Sequence, residues 1–211
     1  MDFKCGIFDL DGTLIDSMPL RRSLCENVLT QRGIQPRPDF AEAIKPLTTR
    51  EGCAYCKEQY GLSESTEELL EECFAILRKF YVEQVVPMPG LVDFLARMKA
   101  QGVKLYVATA TERRLSEIAL RTTGLVNYFD EMLTCAEAGA GKEQPDVYEQ
   151  LLARSGCDKA DAIIFEDALY AMRTAKKAGF RVAAIHDPAL TDVHEEIRSL
   201  ADYYVHSYEE L

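Results

Sequence analysis

Two carboxylates near the N-terminus are the residues best suited to chemistry in this chain of 211 residues. The apolar run from Cys5 to Phe8 predicts a strand, and Gly12 predicts the turn that ends it. Asp9 and Asp11 therefore lie at the carboxyl end of a strand, where open α/β sheets bind ligands. Neighbouring carboxylates repel one another unless a cation or a shared proton compensates, and Mg²⁺ is a usual partner of hard oxygen ligands. The segment indicates a magnesium site, although an Asp-x-Asp-Gly stretch is also typical of a simple turn.

Three further segments combine predicted strands or loops with polar residues. Thr109 ends an apolar strand, Lys142 lies in a loop before a helix, and the pair Glu166-Asp167 ends another apolar strand. Together with the N-terminal Asp-x-Asp-Gly-Thr, these segments resemble, in the same order, the four motifs of the haloacid dehalogenase (HAD) superfamily. The resemblance covers the chain from residue 3 to about residue 185.

The resemblance implies phosphoryl transfer to a carboxylate. Asp9 would be the nucleophile, giving an aspartyl-phosphate intermediate, and Asp11 would protonate the leaving group and later activate water. Mg²⁺ would be held by the Asp9 side chain, the backbone carbonyl of Asp11 and the Asp167 side chain. Glu166 would bind the metal directly or support its ligands. An acid at the position of Asp11 favours phosphate esters, because dehalogenases of the family do not need it.

The same resemblance implies a phosphate-binding set. The Thr109 hydroxyl and the backbone amide of Ala110 would donate to the phosphate, because a helix is expected to begin there. Lys142 would supply compensating positive charge. The alternatives are ordinary: a threonine after a strand often only caps a helix, and a lysine in a loop is usually solvated.

The order of elements predicts an α/β fold. From Pro89 onward, strands and helices alternate, which is typical of a parallel sheet wrapped by helices. Residues 17–86 read as helices, interrupted by a short irregular stretch that Pro36, Pro38 and Pro46 punctuate. We therefore expect a Rossmann-like parallel-sheet core of residues 1–16 and 88–211, with an inserted all-helical subdomain at 17–87, the place of the C1 cap in this family. The predicted later strands are 103–109, 131–134, 162–166 and 181–186, and the helices between them are Gly90–Ala100, Thr111–Thr123, Asp146–Ser155 and Ala168–Ala178.

Within the family, the chain resembles the β-phosphoglucomutase-like branch. Arg50, in Thr49-Arg50-Glu51, can contact a distal phosphate or carboxylate of a substrate, or be a solvated residue at a helix start. Arg21 stands where the mutase carries a histidine, and Pro46-Leu47-Thr48 replaces the glycine of its cap loop. Both departures favour release of phosphate to water over a mutase reaction.

Composition limits the partners. The net charge of −11 disfavours nucleic acid and anionic membranes. The chain has no apolar run long enough to span a bilayer and no N-terminal signal pattern, so we expect a cytoplasmic protein. Its seven cysteines are scattered, and Cys53-x-x-Cys56 lies in a helical pattern without a second pair. This favours reduced, buried thiols over a zinc site.

The sequence thus predicts a magnesium-dependent phosphatase of a small phosphorylated metabolite, such as a sugar phosphate. The first alternative is a sugar-phosphate mutase of the β-phosphoglucomutase type. The second, which is not an enzyme, is a sensor of phosphorylated metabolites on the same fold. The paired Asp9 and Asp11 weigh against the sensor, because a binding protein has no use for a nucleophile beside an acid. The substrate's identity and the oligomeric state stay open.

Overall fold

A computed structural model describes residues 1–44 and 47–211. These residues form two compact units. One contains Met1–Asp16 and Val85–Leu211, and the other contains Ser17–Gln84. The first unit is an α/β structure and the second is entirely helical over its described residues. That the helical unit works as a cap stays a prediction.

The α/β unit is built on a six-stranded parallel sheet. Its strand order is β3-β2-β1-β4-β5-β6. From β1, the chain adds β2 and β3 on one side and β4, β5 and β6 on the other, so the strand order reverses between β1 and β4 while all strands stay parallel. Such a reversal is the ligand-binding position of doubly wound folds. The expected Rossmann-like α/β fold is confirmed. The strands are β1 (Cys5–Phe8), β2 (Lys104–Thr109), β3 (Glu131–Thr134), β4 (Ala162–Glu166), β5 (Arg181–Ile185) and β6 (Tyr203–Val205).

The helical unit is held together by capped helices and a buried apolar face. Thr48 and Ser65 each form a capping box at the start of a helix, which satisfies free backbone amides there. Arg32 bridges Glu64 (2.6 Å) and Glu72 (2.8 Å) within the unit. The helices are α1 (Met18–Thr30), α2 (Phe40–Ile44), α3 (Thr49–Tyr60) and α4 (Thr66–Glu83).

Three sequence-based expectations concern this unit. The proline-punctuated stretch after α1 was expected to be irregular, yet it contains the short helix α2. Pro46, which belongs to the loop lacking the mutase glycine, lies outside the described residues. Cys53 and Cys56 are buried on α3 as free thiols, and the Cys53 and Cys73 sulfur atoms are 3.7 Å apart.

Helices of the α/β unit cover both faces of the strands. The helix predicted at Thr111–Thr123 begins later, at Arg113, because the Glu112 side chain accepts from the Leu115 amide and caps it. The short elements α7, α10 and β6 were not predicted. The helices are α5 (Leu91–Ala100), α6 (Arg113–Thr122), α7 (Cys135–Ala138), α8 (Asp146–Ser155), α9 (Leu169–Lys177) and α10 (His194–Leu200).

An aromatic cluster ties the chain's C-terminus to the middle of the sheet. Phe8 on β1 and Phe165 on β4 stack with ring centroids 4.1 Å apart. Tyr208 is buried against Phe94, with ring centroids 5.3 Å apart, and its hydroxyl donates to the Thr13 carbonyl (3.1 Å). The C-terminal segment therefore supports the loop that follows β1.

Gly90 lets this C-terminal segment pack closely. Its φ is +74°, and a Cβ there would lie 2.4 Å from the Glu209 backbone nitrogen. Gly124 has a nearly identical φ of +73°, but a Cβ there would meet nothing within 4 Å. An alanine at Gly124 would therefore meet backbone strain alone, whereas an alanine at Gly90 would meet the same strain and a steric clash.

We expect Gly124→Ala to lower the free energy of unfolding by about 1–2 kcal/mol, the cost of the left-handed conformation. Gly90→Ala should lower it by a further ~1–3 kcal/mol, because the displaced segment cannot repack without strain. Urea denaturation of both variants measures this difference. Equal losses would contradict the close packing of the C-terminal segment on Gly90.

Candidate active site

The register of the two central strands brings two acids together. Phe8 lies opposite Phe165 in the β1–β4 ladder, so Asp9 and Glu166 follow at the same edge of the sheet. The Asp9 amide donates to the Phe165 carbonyl (2.9 Å), which continues the pairing by one residue. Both side chains are buried. Since neighbouring strands lie about 4.8 Å apart, this pairing places two carboxylates close together.

Lys142 lies between these carboxylates. Its ammonium donates to Asp9 Oδ1 and to Glu166 Oε1, and its side chain is 3% exposed. Burial alone would lower the pKa of Lys142, but the negative charges of Asp9 and Glu166 raise that pKa well above its ordinary value. The alternative of a solvated loop lysine is therefore wrong for Lys142. Lys142 is a buried cation held by two acids.

Glu166 uses both carboxylate oxygens. Oε1 accepts from Lys142 (2.5 Å) and from the hydroxyl of Tyr148 (3.1 Å). Oε2 accepts from the backbone amides of Asp167 and Ala168, each at 3.1 Å. Glu166 thus fixes both the lysine and the turn that carries Asp167.

Asp9, Glu166 and Asp167 form a buried carboxylate cluster. One ligand oxygen of each lies within 4.8 Å of the others. Fully ionised, the three would carry three negative charges against the one positive charge of Lys142. Burial and the repulsion of nearby acids outweigh Lys142 and raise the pKa of Asp9 to about 7. Burial, followed by the charges of Glu166 and Asp9, raises the pKa of Asp167 well above its ordinary value.

This cluster fits a divalent cation. Excess buried negative charge is costly unless a proton or a metal ion compensates it, and the raised pKa values express that cost. Hard carboxylate oxygens suit Mg²⁺ among common metals. Asp9, Glu166 and Asp167 could therefore form the side-chain part of a metal site. That this site holds Mg²⁺ stays a prediction. The part of Asp11 in it, through the backbone carbonyl, stays a prediction.

The loop after β1 and the end of β2 meet through Thr111. The Thr111 hydroxyl donates to Asp11 Oδ2 (2.6 Å), and the Thr111 amide donates to Thr109 Oγ1 (3.0 Å). Thr109 is buried and Ala110 is exposed in a bend. Because α6 begins only at Arg113, the Ala110 amide precedes the helix and does not lie in its first turn. The expectation that a helix begins at Ala110 is therefore wrong. That the Ala110 amide donates to a phosphate stays a prediction.

Several partners of these residues were not singled out from the sequence. Thr111 holds Asp11, and Tyr148 holds Glu166. Thr13 lies near Asp167, with its hydroxyl 3.5 Å from Oδ1. Tyr148 carried a signal, because the apolar stripe of α8 buries it and a buried phenol needs a hydrogen-bond partner. Thr111 carried no such pattern.

The two predicted cap residues belong to the helical unit. Arg50, at the start of α3, forms an exposed ion pair with Glu67 of α4. Arg21 lies on α1 and is half-buried. Their contact with a substrate stays a prediction.

The chain matches the family described as haloacid dehalogenase-like hydrolase over residues 6–185. It is 29% identical over 173 residues, 82% of this chain and 80% of the relative, to a phosphorylated carbohydrates phosphatase of Thermotoga maritima. It is 27% identical over 173 residues, 82% of this chain and 91% of the relative, to a fructose-1-phosphate phosphatase of Escherichia coli.

A solved structure shows the same likeness. It belongs to a Thermotoga maritima protein described, provisionally, as a β-phosphoglucomutase. The TM-score is 0.85 and the identity 27%, and the likeness covers 98% of this chain and 95% of that chain. The chain therefore belongs to the haloacid dehalogenase-like hydrolase family. The expected resemblance is confirmed, and so is the enzyme class, a HAD-like hydrolase of phosphoric monoesters. Among the described residues, none of the helices is long and apolar enough to cross a bilayer.

Lys142→Met should lower the free energy of unfolding by about 3–5 kcal/mol, because it leaves two buried carboxylates without their cation. Urea denaturation at neutral pH in the presence of a chelator measures the loss. Lys176→Met is the matched control, since that lysine pairs with Asp202 (2.7 Å) near the surface. The control should cost no more than about 1 kcal/mol. Similar losses in both variants would contradict the buried charge contact.

Proposed function

We propose that the protein is a magnesium-dependent phosphatase that hydrolyses a small phosphorylated metabolite through an aspartyl-phosphate on Asp9. The observation that carries this proposal is the buried group of Asp9, Glu166 and Asp167 around Lys142. These carboxylates lie where the strand order reverses, and they could hold a metal ion beside Asp9, the proposed nucleophile. Such an arrangement suits phosphoryl transfer. The phosphatase names of the relatives support a sugar phosphate or a similar ester as substrate.

In the first step, Asp9 attacks the phosphorus atom. A bond forms between a carboxylate oxygen and phosphorus while the bond from phosphorus to the ester oxygen breaks. Asp11 gives its proton to that departing oxygen, so that the substrate alcohol leaves neutral. The hydrogen bond from Thr111 supports this role, because it fixes the orientation of the Asp11 carboxyl.

In the second step, water attacks the phosphorus atom of the aspartyl-phosphate. Asp11, now ionised, takes a proton from that water, and the bond from phosphorus to Asp9 breaks. Inorganic phosphate leaves and the Asp9 carboxylate is restored. Asp11 thereby regains the proton that it gave away in the first step.

Several groups compensate the charge of the phosphate. Bound Mg²⁺ would supply positive charge beside the phosphoryl oxygens and reduce the repulsion between phosphate and carboxylates. Asp9, Glu166 and Asp167 would hold it, with the Asp11 carbonyl. Lys142 holds Asp9 in place and adds a positive charge, and Thr109 and the Ala110 amide would donate to the phosphate.

The helical domain at 17–87 is proposed as the cap that selects the substrate. Arg21 and Arg50 are its proposed substrate contacts, and Arg50 would have to leave its exposed partner Glu67 to make one. A solvated ion pair of this kind is weak, so its exchange for a substrate anion costs little. Hydrolysis is favoured over the mutase reaction because Arg21 replaces the mutase histidine.

A substrate screen tests the proposal. Sugar phosphates, phosphoglycolate and nucleotides are incubated with and without Mg²⁺, and free phosphate is measured. We expect Mg²⁺-dependent release from at least one small ester and none from Asp9→Asn, because an amide is a poor nucleophile for phosphorus. Normal turnover in Asp9→Asn at saturating Mg²⁺ would overturn the mechanism. Conversion of β-glucose 1-phosphate to glucose 6-phosphate with little free phosphate would favour the mutase, and binding without turnover would favour the sensor.

Asp11→Asn should lower kcat for a sugar phosphate by roughly 10²–10⁴, the usual contribution of a general acid and base. Mg²⁺ binding should persist, because only the backbone carbonyl of Asp11 is a proposed ligand. The loss should be smaller for p-nitrophenyl phosphate, whose leaving group needs no proton. Asp16→Asn, an exposed acid at the end of the same loop, is the matched control. An equal loss for both substrates would show that Asp11 does not protonate the leaving group.

A further inference from the structure

Tyr148 is a buried residue next to the site with no part in the steps above. It lies on α8, is 0% exposed, and donates from its hydroxyl to Glu166 Oε1 (3.1 Å). The Lys142 ammonium lies 5.9 Å from the centre of its ring. Phe180 packs edge-on against the ring, with centroids 6.2 Å apart. The phenol therefore has a fixed place, and its polar end points at the carboxylate cluster.

The Tyr148 hydroxyl affects how Lys142 divides its hydrogen bonds between Asp9 and Glu166. Glu166 Oε2 is occupied by two backbone amides, so Oε1 is the oxygen that competes with Asp9 for the lysine. A second donor on Oε1 weakens that competition, because the oxygen then depends less on the ammonium. With Tyr148 in place, Lys142 can hold Asp9 as firmly as it holds Glu166.

We infer that Tyr148 is a positioning residue of this enzyme: its hydroxyl orients Glu166 so that Lys142 holds Asp9 and the turn holds Asp167. The inference rests on the proposed function for its kinetic consequence and on the proposed Mg²⁺ site for its effect on metal affinity. Tyr148 is proposed to act through Glu166, to which its hydroxyl donates, and not as a ligand of the metal or the substrate. Partners of this kind usually change metal affinity or activity by about 10–100-fold when they are lost.

Tyr148→Phe removes the hydroxyl and keeps the ring. We expect kcat to fall about tenfold with KM for the ester unchanged, and the dissociation constant for Mg²⁺ to rise about tenfold. Calorimetric titration with Mg²⁺ alone measures the second value without any turnover. Tyr106→Phe is the matched control, because it deletes the same atom from a buried tyrosine of the same hydrophobic cluster. The control should match the wild type in both measurements.

A double-mutant cycle separates positioning from a general packing effect. If Tyr148 acts through Glu166, adding Tyr148→Phe to Glu166→Ala, which removes the acceptor of the Tyr148 hydroxyl, should change neither kcat nor Mg²⁺ affinity further. Full additivity would overturn the inference, and so would a Tyr148→Phe variant that behaves like Tyr106→Phe. A thermal melt of each variant confirms that all are folded.

The two proposals fail in different ways. A wild-type protein that binds Mg²⁺ but hydrolyses no ester contradicts the proposed function, while the Mg²⁺ titrations still decide the role of Tyr148. If the wild-type protein hydrolyses esters and Tyr148→Phe has the same kcat and the same Mg²⁺ affinity as the wild type, only the positioning role is contradicted. A wild-type protein that does not bind Mg²⁺ overturns both.

Discussion

The structure of the site depends on one buried charge contact, the ammonium of Lys142 shared between Asp9 and Glu166. Removing ions from water costs several kcal/mol for each charge, and only close pairing offsets that cost. The end of β1, the end of β4 and the loop before α8 must therefore arrive at one point. If any of the three were displaced, a buried charge would be left unpaired.

The sheet fixes the positions of the two strand ends that carry Asp9 and Glu166. β1 and β4 are hydrogen-bonded neighbours. Phe8 and Phe165, the paired residues directly before Asp9 and Glu166, stack on one another and so reinforce the register of the two strands. A slip of one residue would turn the carboxylates to the opposite face of the sheet. The C-terminal Tyr208 adds a further constraint, because its hydroxyl holds the Thr13 carbonyl in the loop that carries Asp11. Residues far apart in sequence thus fix the same few side chains.

Much of this arrangement could be predicted because it follows from strand ends. The apolar runs before Asp9, Thr109 and Glu166 indicate strands, and parallel strands end at one edge of a sheet. What could not be predicted depends on side-chain direction. Thr111, whose hydroxyl donates to Asp11, precedes α6, which begins at Arg113, two residues later than expected.

The short elements escaped prediction for another reason. β6 spans three residues and α7 four, too few to show a period of hydrophobicity. Helix α2 lies among prolines, whose usual effect is to break helices, and tertiary packing of Phe40 outweighs that tendency.

The charge balance of the site also bears on how an anionic substrate could enter it. Asp9, Glu166 and Asp167 outnumber Lys142, and the protein as a whole carries a net charge of −11. A phosphate group approaching these acids would meet repulsion unless more positive charge were present. The pKa of Asp9, raised to about 7, shows that without a metal a proton already supplies part of that charge near neutral pH. A protonated Asp9 is a poor nucleophile, whereas a divalent cation compensates the charge and leaves Asp9 ionised. On the proposed function, metal binding is therefore what makes one carboxylate cluster able both to accept a phosphate and to attack it.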